Sequence, residues 1–450
     1  MKILSITGGA AGTYCGSCLL DNAIATELIA RGHEVTLLPL YTPTLTDEPN
    51  VSRSVVLFGG ISLYLQQYVR LFRSTPRFID RLMDSPRVIA AFATRMVSTD
   101  PQILGEMTVS MLEGTRGVLR KEFDKLAEWL RDEPVPDIVS LPNSLLIALA
   151  RPLKAALGRP VCCTLQGEDL FLNSLVEPYR SRALELVRQQ VQHVDQFVAV
   201  SESCAAFMST YLGIAPERIS TAPLGINTTG YQPRDPSENE EFRVGYLARI
   251  APEKGLHVLA EAFRVFRSQV GNARVRLDVA GYLAPNHRSY LADVRKSLEQ
   301  AGIGGDFAYR GALDREGKIA FLRGLDVLSV PATYDEPKGL FLLEALASGV
   351  PVVQPRRGAF VEIVNRTAGG LLVDADDPES LAGGLHALWS DRALREQLGK
   401  SGHAGVHGHY TIQHSADRLL DVYGEVAARG RLAPGLVSSG AQARAVASSR

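Results

Sequence analysis

Residues 327–353 constrain the fold more than any other stretch of this chain. The apolar run Val327-Leu328-Ser329-Val330 reads as a strand, closed by Pro331, whose ring nitrogen cannot donate to a ladder. A loop carrying Glu336 follows, then a helix carrying Glu344, then a Val-rich strand after Gly349 and Pro351. Strand, helix, strand is a right-handed crossover unit of a parallel sheet. Its helix opens at the carboxyl ends of the strands, where open α/β sheets bind ligands, and points free N–H groups and the positive end of its dipole there. That end suits a phosphate. The carboxylates Glu336 and Glu344, just outside and about a turn and a half inside the helix, suit hydroxyl groups on either side of it. A surface helix with two solvated glutamates has the same spacing.

The pattern recurs along the chain. Strands are predicted at 2–7, 34–40, 55–58, 137–141, 160–165 and 197–200, then at 242–247, 275–280, 307–309, 327–330, 351–354 and 371–373. Helical segments separate them, which predicts parallel sheets in two α/β domains. The polar, proline-bearing stretch 231–241 reads as the linker between domains at 1–230 and 242–411. A last helix is predicted over 412–428, and the Ala/Ser/Gly-rich 429–450 reads as a disordered tail.

Three further stretches carry candidate chemistry. Gly245-Tyr246-Leu247-Ala248-Arg249-Ile250-Ala251-Pro252-Glu253-Lys254-Gly255 follows a strand, and its Arg249 fork and Lys254 point charge could neutralise one diphosphate together. Gly32-His33-Glu34-Val35 ends a first helix, and glycines lie before that helix at Gly8, Gly9, Gly12 and Gly16. Thr164-Leu165-Gln166-Gly167-Glu168-Asp169 follows a buried strand. These segments, with 336–353, resemble retaining GT-B glycosyltransferases of family four. The spacing of Glu336, Gly339, Glu344, Ala345, Gly349, Pro351, Val352 and Val353 fits that family's EX7E motif, although Lys338 stands where an aromatic is usual. The Arg249-to-Lys254 spacing fits its Gly-Arg-Leu…Lys-Gly loop, with Ala248 in place of glycine.

The resemblance covers nearly the whole chain to about residue 427. It implies the GT-B fold, two Rossmann-like domains with parallel sheets facing a cleft. It implies a glycosyltransferase of hexosyltransferase type that moves a sugar, with retention and without metal or cofactor, from a nucleotide-diphosphate sugar to a glycan, lipid or small-molecule acceptor. Arg249 and Lys254 would hold the diphosphate, and Glu336 would bond hydroxyls of the donor sugar. Glu344 would bond the ribose, and Gly339 and Leu340 would offer backbone N–H groups. Gly358, in a loop resembling the family's Gly-Gly-x-x-Glu, would shape the nucleotide pocket. Gly16, in the register of the N-terminal Gly-rich loop, would approach the ligand. Gln166 stands where the family usually has a histidine beside the donor sugar, and glutamine cannot take a proton. Gln166, Glu168 and Asp169 are therefore acceptor-side candidates, against the plainer reading of a loop that caps the next helix. Two rival functions remain: a GT-B protein that binds a nucleotide sugar and transfers nothing, and, ranked below it, a sugar-nucleotide epimerase.

Composition narrows the partners. A net charge of −1 over 450 residues gives no electrostatic case for nucleic acid. No apolar run reaches the length of a spanning helix, and the expected location is the cytoplasm. The least family-like region, 59–131, interleaves aromatics with arginines (Tyr64, Arg70, Phe72, Arg73, Phe78, Arg81). It reads as amphipathic helices that suit an anionic acceptor or the inner face of a membrane, or as a helical cover over the sheet. Cys15 and Cys18 have CxxC spacing, but no second pair completes a zinc site. His403, His407 and His409 read as a cluster in a solvated Gly-rich turn, with an adventitious metal site as the alternative.

Overall fold

The protein is described by a computed structural model covering residues 1–9, 16–44, 46, 48–55, 57–58, 63, 66–68, 100–233 and 241–431. Cys15, most of 59–99, the linker residues 234–240 and the tail beyond 431 lie outside the described residues. The chain divides into two compact units. Unit 1 holds Met1–Val200, Ala205–Ala222 and Ala416–Arg450, and unit 2 holds Ser201–Cys204 and Pro223–Ser415.

Unit 1 is built on six parallel strands: β1 (Lys2–Thr7), β2 (Glu34–Pro39), β3 (Ile138–Leu141), β4 (Val161–Leu165), β5 (Gln196–Ala199) and β6 (Ile219–Thr221). Their order in the sheet is β2-β1-β3-β4-β5-β6. β3 and β5 are buried at every position, as expected of parallel strands covered by helices on both faces. The helix Ile412–Arg431 starts in unit 2 and belongs to unit 1 from Ala416, packing Ala416, Leu419, Val422 and Tyr423 on Ile3, Ile138, Cys162 and Val198. The Tyr423 hydroxyl donates to Ser140 at 2.8 Å.

Of the strand expected at 55–58, the described residues Val55, Leu57 and Phe58 are not in a strand. The chain instead makes one bridge, between Ser52 and Leu37, and the Phe58 N–H bonds the Leu40 carbonyl at 2.9 Å. Leu57 and Phe58 are buried in the core without joining the ladder. Of the region 59–131, the described part includes the helices Pro101–Glu113 and Arg120–Asp132. Leu112, Phe123, Leu126 and Leu130 are buried and Arg120 and Arg131 face solvent; the first helix packs on the helix Tyr179–Gln190 and the second on the helix Ala150–Leu157.

Unit 2 repeats the plan with β7 (Glu241–Leu247), β8 (Arg274–Ala280), β9 (Phe307–Tyr309), β10 (Val327–Leu328), β11 (Val352–Pro355) and β12 (Gly370–Val373). All are parallel, in the order β12-β11-β10-β7-β8-β9. The strand order reverses between β7 and β10, the switch point where a doubly wound sheet opens a crevice at its carboxyl edge.

The Gly-rich segment with the histidines is a helix, Arg392–His409, and not a turn. Its glycines recur every three residues, and Gly399, Gly402 and Gly405 line a seam against the core. A Cβ on Gly399 would lie 2.3 Å from the Gly349 carbonyl oxygen, one on Gly402 2.5 Å from Leu346, and one on Gly405 2.5 Å from the Thr367 Cα. Gly408 faces open space. Gly405→Ala should therefore lower stability by about 1–3 kcal/mol through backbone overpacking. Gly408→Ala should raise it by up to about 1 kcal/mol, because alanine is the better helix former. Thermal unfolding of the two variants checks the opposite signs.

Candidate active site

The loop after β7 and the loop after β10 meet at the switch point of unit 2. The first runs through Arg249 into a 3-10 turn, Pro252–Lys254, and then into the helix Leu256–Gln269. Gly255 joins turn to helix at φ 72°, and a Cβ there would lie 1.8 Å from the Pro331 carbonyl oxygen. Only glycine supplies both the left-handed backbone and that close approach. The Thr333 N–H bonds the Glu253 carbonyl at 3.0 Å, so the two loops are stitched through their backbones as well.

This contact carries Lys254 onto Glu336. The Lys254 ammonium pairs with the Glu336 carboxylate and donates to the Tyr334 hydroxyl at 2.6 Å; that hydroxyl in turn donates to Glu336 Oε2 at 2.5 Å. The Lys338 N–H approaches the other carboxylate oxygen at 3.3 Å. Glu336 is only 4 % exposed, which sets aside the reading of a solvated glutamate. Burial is the largest influence on its ionisation and opposes it. The Lys254 charge, the hydrogen bonds from Lys254 and Tyr334 and the Lys338 charge outweigh burial and hold the carboxyl below its ordinary value. Burial first, then the Glu336 charge, push the Tyr334 hydroxyl far above its ordinary value, so it remains a donor.

Glu336 is fixed from behind by Gly358, whose φ is 50°. A Cβ on Gly358 would lie 2.6 Å from the Glu336 carbonyl oxygen, and the Ala359 N–H bonds that oxygen at 2.8 Å. Gly358 thus braces the motif glutamate. The helix Leu340–Ala347 opens at Gly339, φ 61°, with no side-chain cap over its first turn. Five residues in, Glu344 accepts from Lys318 Nζ at 2.5 Å and from the Tyr231 hydroxyl at 3.3 Å. Arg249 is half exposed and pairs with Glu253 at 2.6 Å, a surface contact of small energy that a stronger anion can displace.

In unit 1, Gln166 lies in the loop after β4, beside the switch point between β1 and β3. It is buried; its Nε2 donates to the Pro142 carbonyl at 2.6 Å and its Oε1 accepts from the Ser17 hydroxyl at 2.9 Å. The two oxygens of Glu168 accept from the backbone N–H groups of Ser144 and Gln166, both at 2.9 Å. Glu168 is thus a buried brace between loops, and the expected helix-capping contact is absent from its side chain. Asp169 is half-buried in the first turn of the helix Asp169–Ser174. Gly16 opens the helix Gly16–Ala30 with no atom within 4 Å of a built Cβ, whereas a Cβ on Gly9 would lie 2.1 Å from the Thr42 carbonyl oxygen.

Sequence reasoning missed Tyr334, Lys318 and Tyr231. Tyr334 stands two residues before Glu336, the spacing that puts side chains on one face of an extended chain. Lys318 and Tyr231 reach Glu344 from 26 and 113 residues away, with no local signal.

A doubly wound unit with a Lys–Glu–Tyr cluster and an uncapped helix start at its switch point has the layout of a ligand-binding α/β domain. The sequence profile of glycosyl transferases group 1 matches residues 231–404, and that of glycosyltransferase family 4 matches residues 106–229. The chain belongs to the group 1 glycosyltransferases, with the GT-B fold of two Rossmann-like domains. It is 29 % identical over 257 residues to the D-inositol 3-phosphate glycosyltransferase of Segniliparus rotundus, covering 55 % of this chain and 56 % of that protein. It is 27 % identical over 248 residues to the MMP alpha-(1->4)-mannosyltransferase of Mycolicibacterium hassiacum, covering 55 % and 58 %. The chain spans about half the length of the first of the curated relatives it matches. Among solved structures, sucrose-phosphate synthase from Thermosynechococcus elongatus superposes with a TM-score of 0.68 at 16 % identity, over 95 % of this chain and 99 % of that one. Anabaena HepE in complex with UDP superposes with a TM-score of 0.64 at 15 % identity, over 94 % and 100 %.

The ionised Glu336 makes a pH prediction. Its folded-state value is depressed, so its stabilising contribution is fully present above the ordinary carboxylate value of 4.5 and is lost as pH falls through the lowered value. Wild type should therefore lose more stability between about pH 5 and pH 3 than Glu336→Gln does. Parallel acid titrations of the two proteins by circular dichroism would show it; superimposable curves would contradict it.

Proposed function

We propose that this protein is a retaining glycosyltransferase that uses a nucleotide-diphosphate sugar and needs no metal ion. The observation that carries the reading is the buried Lys254–Glu336 pair beside the Gly339 helix start at one switch point, with Arg249 on the same loop as Lys254.

In this reading Arg249 and Lys254 take the diphosphate in exchange for their present partners, Glu253 and Glu336. The N–H groups of Gly339 and Leu340 meet the same phosphates, with the helix dipole behind them. Glu336, released from part of its pairing, accepts from hydroxyls of the donor sugar. Glu344, held by Lys318 and Tyr231, accepts from the ribose hydroxyls. The bond from the anomeric carbon to the phosphate oxygen breaks as the acceptor oxygen bonds to that carbon on the same face, and the acceptor proton passes to the departing phosphate. The two cationic side chains stabilise the charge that develops on the leaving group, which is the work a metal ion would otherwise do. The HepE complex with UDP, on the same fold, agrees with a nucleotide donor. Gln166 adds no proton-transfer group of its own.

The test is donor turnover with UDP-, GDP- and ADP-sugars over an acceptor panel. One donor class should be consumed with retention at the anomeric carbon by NMR, at a rate unchanged by EDTA. Arg249→Ala should slow it by about 10²–10³-fold through lost leaving-group stabilisation. An inverted product, or turnover unchanged in Arg249→Ala, would overturn the reading. Donor binding without turnover over the whole panel would favour the non-catalytic alternative.

A further inference from the structure

The helix Arg392–His409 carries a feature that sugar transfer does not use. His403 and His407 stand one turn apart, both half-buried, with ring centroids 4.2 Å apart and planes at 44°. Residues four apart share a helix face. Each ring has one nitrogen committed. His403 Nδ1 lies 2.7 Å from the Ala347 carbonyl oxygen, and His407 Nδ1 lies 3.0 Å from the His403 carbonyl oxygen. A carbonyl only accepts, so both Nδ1 atoms carry hydrogen and donate. Each neutral ring then keeps its lone pair on Nε2. Tying one imidazole nitrogen to a carbonyl is how proteins fix the tautomer and orientation of metal-binding histidines.

We propose that His403 and His407 form a two-imidazole site for a transition-metal dication, with water in the remaining positions. Among the described residues no third His, Cys, Asp or Glu joins them in a metal-binding group, so the site is open and of moderate affinity. Two nitrogen ligands and no thiolate favour Cu²⁺ over Zn²⁺ and Ni²⁺. The glycine seam at Gly399, Gly402 and Gly405 is what lets this helix lie close enough for His403 to reach Ala347. Ala347 is the last residue of the helix Leu340–Ala347, which carries Glu344. The ion would sit roughly 10 Å along that helix from its first turn, too far to touch a ligand there. A metal on Nε2 makes the Nδ1–H a stronger donor, so binding should tighten the hold of one helix on the end of the other. The proposal stands independently of the donor assignment.

The experiment is calorimetric titration of CuCl₂, NiCl₂ and ZnCl₂ into the untagged full chain after chelator stripping, with thermal unfolding as a second readout. One Cu²⁺ should bind per chain, more tightly than Zn²⁺ or Ni²⁺, and raise the melting temperature. His403→Ala and His407→Gln should each weaken binding by about 10-fold or more, and His409→Ala should leave it unchanged. His407→Gln keeps the His403 contact with Ala347, so a loss of binding in that variant, with an unchanged metal-free melting temperature, reports ligation and not folding. Binding that survives both His403→Ala and His407→Gln, binding that is lost in His409→Ala, or no saturable binding at millimolar metal would overturn the proposal.

Discussion

Everything at the switch point of unit 2 hangs on the buried pair between Lys254 and Glu336. Neither charge could stand in that place alone, since a lone buried charge costs several kcal/mol. Together, with Tyr334 bonded to both, they form a small closed network. The backbone around them is shaped to permit it. Gly255 lets the β7 loop touch the β10 loop, Gly358 lies against the back of Glu336, and Gly339 turns the chain into the motif helix. A buried ion pair is weak evidence for stability, because apolar residues of the same volume often do as well. In the proposed function the pair has a use instead: an ammonium and a carboxylate that exchange partners with an anion and a hydroxyl.

Unit 1 has the same sheet plan and a different kind of loop cluster. Gln166 bridges Ser17 and Pro142, and Glu168 bridges Ser144 and Gln166, so the start of the helix Gly16–Ala30 and the chain after β3 and β4 are tied by neutral hydrogen bonds and one carboxylate bonded to amides. A glutamine donates and accepts at once, which suits a brace between a carbonyl and a hydroxyl. The two units thus divide their character: the charged groups that could answer a diphosphate are in unit 2, and the switch-point loops of unit 1 are held by amide contacts.

Much of the fold was legible because parallel strands buried on both faces appear as short apolar runs, and helices as longer amphipathic ones. The strands around 2–7, 242–247 and 275–280 follow directly. The exceptions are instructive. An apolar run records burial and not pairing, which is why 55–58 looked like a strand while Leu57 and Phe58 only fill the core. The short edge strand β6 is half-buried and polar in part, and gave no apolar run to notice. The glycines of 399–408 resembled a turn because composition does not say which way a glycine faces; their spacing of three was the overlooked sign of a helix seam. In the site, Lys254, Glu336 and Glu344 could be picked out by spacing along the chain. Lys318 and Tyr231 could not, since only folding brings them to Glu344.

The central claim is that the Lys254–Glu336 pair is a resting form of a diphosphate site. Calorimetric titration of UDP, GDP and ADP into wild type, Lys254→Met and Glu336→Gln tests it most directly. One diphosphate should bind wild type, and Lys254→Met should bind it about 10-fold or more weakly, through loss of one charge-assisted contact. Glu336→Gln should bind it at least as tightly as wild type, because the ammonium no longer has a carboxylate to leave. Unchanged affinity in Lys254→Met, or an equal loss in Glu336→Gln, would contradict the account and return the pair to a purely structural role.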